Sequence, residues 1–121
     1  MEKKRFCIIN RFKSFKYAFK GISAIVKKEH NFRIHLSAAT ITVVFGFIYN
    51  ISAEEWIYLS FAIGIVLISE SFNSAVENLC DRISTEKDEK IGKIKDVSAA
   101  AVLISALTAV AVGLIIFVPK F

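Results

Sequence analysis

Three apolar runs separated by short polar connections dominate the chain, and a segment ahead of them interleaves aromatic and basic positions at a helical spacing. The first run, IHLSAATITVVFGFIYNI, covers about residues 34–51, and the second opens at Trp56 with WIYLSFAIGIVLIS. The third, VSAAAVLISALTAVAVGLIIFV, residues 97–118, carries no charge. A helix rises about 1.5 Å per residue, so roughly 20 residues cross a hydrocarbon layer about 30 Å thick. The third run meets that length outright and the first does so marginally. The second meets it only if its helix continues through ESFNSAVENLCDR, which carries Glu70 and Glu77 into or beside the apolar layer. The pattern predicts an all-α integral membrane protein. Its 121 residues form a single membrane-embedded domain with spans at about 33–51, 55–82 and 94–118.

In the leading segment Phe12, Phe15, Phe19, Ile22 and Ile25 or Val26 share one helical face, with Lys13, Lys16, Lys20 and Lys27 between them. This predicts a basic amphipathic helix over about 8–28, lying on the membrane surface with its aromatic side down. Charge then orients the spans. Of 16 basic residues, ten (Lys3, Lys4, Arg5, Arg11, Lys13, Lys16, Lys20, Lys27, Lys28 and Arg33) lie in residues 1–33. The connection YNISAEEW has none, the 82–96 connection has Arg82, Lys87, Lys90, Lys93 and Lys95, and Lys120 alone follows the last span. By the positive-inside rule the amino terminus and the 82–96 loop are cytoplasmic and the carboxyl terminus is outside. Trp56 and Tyr58 read as interfacial anchors at the outer end of the second span. Composition agrees: 55% of residues are hydrophobic, too many for an ordinary small soluble domain. Cys7 and Cys80 have neither metal-ligand nor disulfide-framework spacing and suit a reducing compartment, and no cleavable signal peptide is visible.

Glu70, Asn73, Ser74, Glu77 and Asp81 fall within an arc of roughly 100° on one helix face, over about 16 Å of helix. Each charge placed at depth costs on the order of 3 kcal/mol, so this face must look at protein, metal or water. On the plainer reading, the acids pair with Arg33, Arg82 or Lys95. On the functional reading, hard oxygen donors on one face suit Mg²⁺, and a more deeply placed, desolvated carboxylate suits a general base. Phosphoryl transfer needs such a set, with cations of the kind found in STEKDEKIGKIKD. That loop has no Gly-rich phosphate cradle, so a nucleotide site here must be built differently, and by composition it also reads as a solvated charged turn. Ala101, Ser105, Ala109 and Gly113 form a small-residue stripe that permits close helix approach. Three short spans bury little alone, which predicts a homo-oligomer, and no nucleic-acid partner is expected.

These residues resemble a known family. ESFNSAVENLCDR is similar to the signature E-x-x-N-S/T-A-I/V-E-x-x-x-D-R of the small bacterial diacylglycerol kinases. KDVSAAAV at 95–102, EHNFR at 29–33 and YAFKG at 17–21 resemble that family's other motifs, in order and over nearly the whole chain. The resemblance implies a homotrimeric enzyme of the bacterial plasma membrane that transfers the γ-phosphate of MgATP to a lipid alcohol. It implies Glu70 as general base on the lipid hydroxyl, Asn73 as its support, and Glu29 and Glu77 as ligands of the metal bridging the ATP phosphates. Lys95 and Asp96 would contact nucleotide, as would Glu86, Lys87 and Asp88 in the loop and Tyr17 and Arg11 on the surface helix. Asn31, Phe32 and Arg33 would lie toward the lipid. Ala99 stands where some members have Ser.

The stretches EHNFRIH, EEW and IIFVPK resemble the Gram-positive, undecaprenol-preferring branch, with diacylglycerol as the alternative acceptor. Two other classes have spans of this kind: a proton-coupled multidrug transporter, which needs one mid-bilayer acid, and a non-catalytic membrane scaffold. Neither accounts for several carboxylates beside a charged loop.

Overall fold

A computed structural model describes residues 2–84 and 88–121, with side chains from residue 8 onward. Glu86 and Lys87 lie outside the described residues. The chain divides into two compact units, Met1–His30 and Asn31–Phe121. The first is built on α1 (Glu2–Lys28), which extends back past the aromatic–basic pattern into the good helix formers Glu2, Lys3, Lys4 and Arg5. Phe12, Phe15 and Phe19 on one face of α1 stay exposed, and Lys20 Nζ stands 5.9 Å from the centre of the Tyr17 ring. A helix this apolar on one side and basic on the other has the chemistry of an interfacial helix.

The second unit holds α2 (His30–Ile48) from Asn31 on, α3 (Ala53–Ile83), α4 (Glu89–Phe117) and a closing 3₁₀ turn, Val118–Lys120. All three long helices are long and apolar enough to cross a membrane. α2 ends in a Schellman turn. Asn50 takes the left-handed conformation (φ 51°), its N–H donates to the Phe47 carbonyl and the Ile51 N–H donates to Gly46. α3 follows at once through a capping box: the Glu55 N–H donates to Ser52 Oγ, and the Ser52 N–H donates back to Glu55 Oε1. α4 starts at its cap Asp88, whose carboxylate accepts from the Lys90 and Ile91 N–H groups.

Packing is concentrated where the α2–α3 turn meets the end of α4. Ile51, Leu59 and Ile116 are buried together, with Tyr49, Trp56 and Phe117 against them. Lys120 Nζ donates to Glu55 Oε2 at 2.8 Å, tying the chain's last turn to the first turn of α3. The backbone at Gly46 passes close under the Trp56 indole, which also stacks on Phe47 at 4.8 Å. α3 is the central helix, with 33% of its apolar window buried against 11% in α2 and in α4. Elsewhere the surface is apolar: Phe47, Phe61, Phe72 and Ile115 are each 70–75% exposed, which suits lipid or further copies of the chain.

Candidate functional site

One face of α3 changes chemistry without a break in its path. Leu59, Ala62 and Val66 are buried on it, and the next buried positions along the helix are Glu70, Asn73 and Ser74. The spacing of three and four residues that aims the apolar side chains inward aims these polar ones the same way. Glu70 is 3% exposed, and its Oε2 stands 3.6 Å from Nε2 of His35 on α2. One turn on, Asn73 Nδ2 donates to Glu77 Oε1 at 3.2 Å. Beyond that, Lys95 Nζ on α4 donates to Asp81 Oδ1 at 2.6 Å.

The polar groups in the spans fall into two sets. Thr40, Thr42, Ser69, Ser71 and Thr108 return their hydroxyls to backbone carbonyls three or four residues back, as lone hydroxyls in apolar helices do. Asn73 Oδ1 and Ser74 Oγ, by contrast, are buried and have no hydrogen-bond partner among the described residues. An unpaired buried acceptor costs about 1–3 kcal/mol. Two adjacent ones beside two carboxylates mark this face as the candidate site. Oxygen donors of the carboxylate and amide type are those that Mg²⁺ accepts, so the donor set fits a hard divalent cation.

The expected site residues fall out as follows. Glu70, Asn73 and Glu77 share the buried face of α3, and Lys95 comes to that face's end through Asp81. Arg11, Tyr17 and Glu29 belong to the amino-terminal unit; Arg11 and Tyr17 are exposed, and the Glu29 N–H closes α1 on the Ile25 carbonyl. On α2, Phe32 is buried, while Asn31 and Arg33 are exposed. Asp88 caps α4 and Asp96 is exposed near that helix's start. The small-residue stripe runs partly into open space. Ala109 and Gly113 line a cavity of about 500 Å³ among α2, α3 and α4, whose wall is apolar apart from His35 and Thr42. His35 was not among the expected residues. Its one sequence signal is an ionisable group within the first apolar run.

Three helices long and apolar enough to cross a membrane, the central one turning from apolar packing to buried carboxylate and amide, define a membrane protein with a buried polar face at one end of its spans. Comparison with known proteins gives the family. The family model described as prokaryotic diacylglycerol kinase matches residues 16–117. The undecaprenol kinase of Bacillus subtilis is 38% identical over 114 residues, covering 93% of this chain and 92% of that protein. The diacylglycerol kinase of Escherichia coli is 36% identical over 94 residues, 78% of this chain and 77% of that protein. That of a Synechocystis species is 32% identical over 107 residues, 88% of this chain and 61% of that protein. The chain belongs to the prokaryotic diacylglycerol kinase family and is an ATP-dependent lipid kinase of the membrane. Nothing in these relatives supports a transporter.

Proposed function

We propose that this kinase transfers the γ-phosphate of MgATP to the hydroxyl of undecaprenol, giving undecaprenyl phosphate and ADP. The observation that carries the acceptor is the extent of the match to the Bacillus subtilis undecaprenol kinase, which takes in nearly the whole of both chains. The diacylglycerol kinases match over a shorter stretch at similar identity, and diacylglycerol is therefore the second reading. Both alcohols carry a primary hydroxyl at the interface and bury their chains in lipid, so the chemistry at α3 is common to them.

In this mechanism the Glu70 carboxylate takes the proton from the lipid hydroxyl as its oxygen attacks the γ-phosphorus. A new P–O bond forms, the bond to the β–γ bridging oxygen breaks, and its electron pair leaves with ADP. By helical rise Glu70 lies about 21 Å from Trp56 and Glu77 about 31 Å, so Glu70 is inside the inner edge of a hydrocarbon layer about 30 Å thick and Glu77 is at its boundary. The second carboxylate is thus at the depth of a water-borne nucleotide, and the acceptor hydroxyl must enter below the interface to meet the base. Asn73 orients Glu77 through its amide N–H. Glu77 and Glu29 are the proposed ligands of Mg²⁺, which when bound neutralises charge on the phosphates. Lys95, Asp96, Tyr17 and Arg11 contact nucleotide, together with Glu86, Lys87 and Asp88. Asn31, Phe32 and Arg33 lie on the lipid side. The amino terminus and the 82–96 loop face the cytoplasm, the carboxyl terminus faces outward, and the assembly is a homotrimer.

The test is transfer of labelled γ-phosphate to undecaprenol and to diacylglycerol in parallel, by protein reconstituted in lipid bicelles. E70Q and E77Q are run beside the parent after their assembly is verified. Phosphorylated undecaprenol should dominate, and both variants should lose at least about 100-fold, the scale of general acid–base catalysis. Phosphatidic acid as the main product would overturn the acceptor, and full activity in E70Q would overturn the base.

A further inference from the structure

The His35–Glu70 approach is unexplained by anything assigned so far. A carboxylate 4% exposed in its side chain stands 3.6 Å from an imidazole 25% exposed, on a different helix and 35 positions away in sequence. That distance is just beyond a hydrogen bond and within ion-pair range. Catalytic contacts are often long before substrate binds and tighten afterwards. His35 also forms part of the wall of the apolar cavity of about 500 Å³, so the imidazole that approaches Glu70 lines a space shared by α2, α3 and α4 as well. A buried carboxylate that must be ionised to act as a base needs a donor to hold that form.

We propose that His35 is the positioning residue of the base: its Nε2–H fixes Glu70 Oε2, so that the other carboxylate oxygen is presented to the acceptor hydroxyl. This inference rests on the kinase mechanism above and adds a residue to it. His35 does not touch the phosphate in this scheme, and the proton taken from the lipid alcohol still goes to Glu70. The other charged groups are Arg33 on α2; Glu77, two turns along the same face of α3, with Glu54, Glu55, Asp81 and Arg82 on that helix; and, on α4, Glu89, Lys90, Lys93, Asp96 and Lys95, the last paired with Asp81. The α4 side chains that share the cavity wall with His35 are apolar or glycine. All of these groups remain in a His35 variant, so a changed pH profile reports the imidazole.

The experiment compares the full-length parent with H35L and H35Q, each shown by size-exclusion chromatography to assemble, measuring kcat and both KM values across pH in bicelles. H35L removes this N–H from the side of Glu70 Oε2. The acid limb of kcat should move up by about one pH unit or more. At a fixed pH near neutrality kcat should fall about 10- to 100-fold, the usual effect of losing a partner that orients a reacting group. KM for MgATP should stay at the parent value, because His35 is not placed at the nucleotide. H35Q, which can still offer an N–H, should recover most of kcat and lie between the two in profile. An unshifted acid limb in H35L, or in H35Q if H35L does not assemble, would overturn the proposal, as would loss confined to the nucleotide KM. A parent that phosphorylates neither alcohol would instead overturn the underlying mechanism, which separates the two failures.

Discussion

Gly46 offers the sharpest test of how α2 is seated on α3. A Cβ built at this position would stand 2.6 Å from Trp56 Cη2, 2.9 Å from Cζ2 and 3.1 Å from Cζ3. Carbon atoms in good contact sit about 3.5–4.0 Å apart, so the ring or the helix must move by about 1 Å. The indole also packs on Phe47, with ring centres 4.8 Å apart, so a shift of the ring disturbs that contact too. Overpacking of this kind costs about 1–3 kcal/mol, whereas alanine gains about 1 kcal/mol over glycine in a helix. The expected net effect of G46A is a loss of up to about 2 kcal/mol. In a W56L background the clash is gone and the helical gain remains, so the same substitution should become stabilising by up to about 1 kcal/mol. Far-UV circular dichroism through an SDS titration in mixed micelles measures both arms. Because His35 lies about 16 Å back along α2, G46A should also lower lipid phosphorylation, and W56L should restore part of it. A G46A effect of the same sign and size in both backgrounds would refute the steric reasoning.

Two further outcomes follow from the caps and the amide. D88A should destabilise the protein by about 1 kcal/mol through loss of the α4 cap, while D88N, an equally good cap, should not. If Asp88 also contacts nucleotide, D88N will raise the KM for ATP at unchanged stability, and steady-state kinetics beside thermal melts separate these roles. N73A releases Glu77 and should raise the Mg²⁺ concentration needed for half-maximal rate about 10- to 100-fold, read from activity against free metal. An unchanged metal requirement in N73A would remove Asn73 from the support of Glu77.

Much of this was legible in the sequence for a physical reason: a bilayer imposes a minimum length on each span. WIYLSFAIGIVLIS is too short to cross alone, so α3 had to continue through Glu70 and Glu77, and it does. The α2–α3 turn, by contrast, rests on a positive φ at Asn50 and a cap at Ser52, which fix α2's end at Ile48, short of the apolar run's end at Ile51. The stripe of Glu70, Asn73, Ser74 and Glu77 could be drawn from helical geometry alone. Which of its atoms are already satisfied could not, because Asp81 finds Lys95 and Glu70 meets His35 only through the packing of other helices. Asp88 shows the converse. Its place just before a helical pattern is a cap signal in its own right, and the resemblance drew attention to nucleotide instead.

The unbroken path of α3 from Leu59 to Glu77 makes that helix a depth gauge. Its buried face is one rigid ruler with divisions of about 1.5 Å, on which the proposed base and the proposed metal ligand are separated by about 10 Å and cannot slide independently. An acceptor then reacts only if its hydroxyl reaches the mark at which Glu70 is held, whatever its tail contributes to binding. Thinning or thickening the bilayer would detune the reaction as surely as a substitution, because it moves the alcohol along a scale that the protein holds fixed.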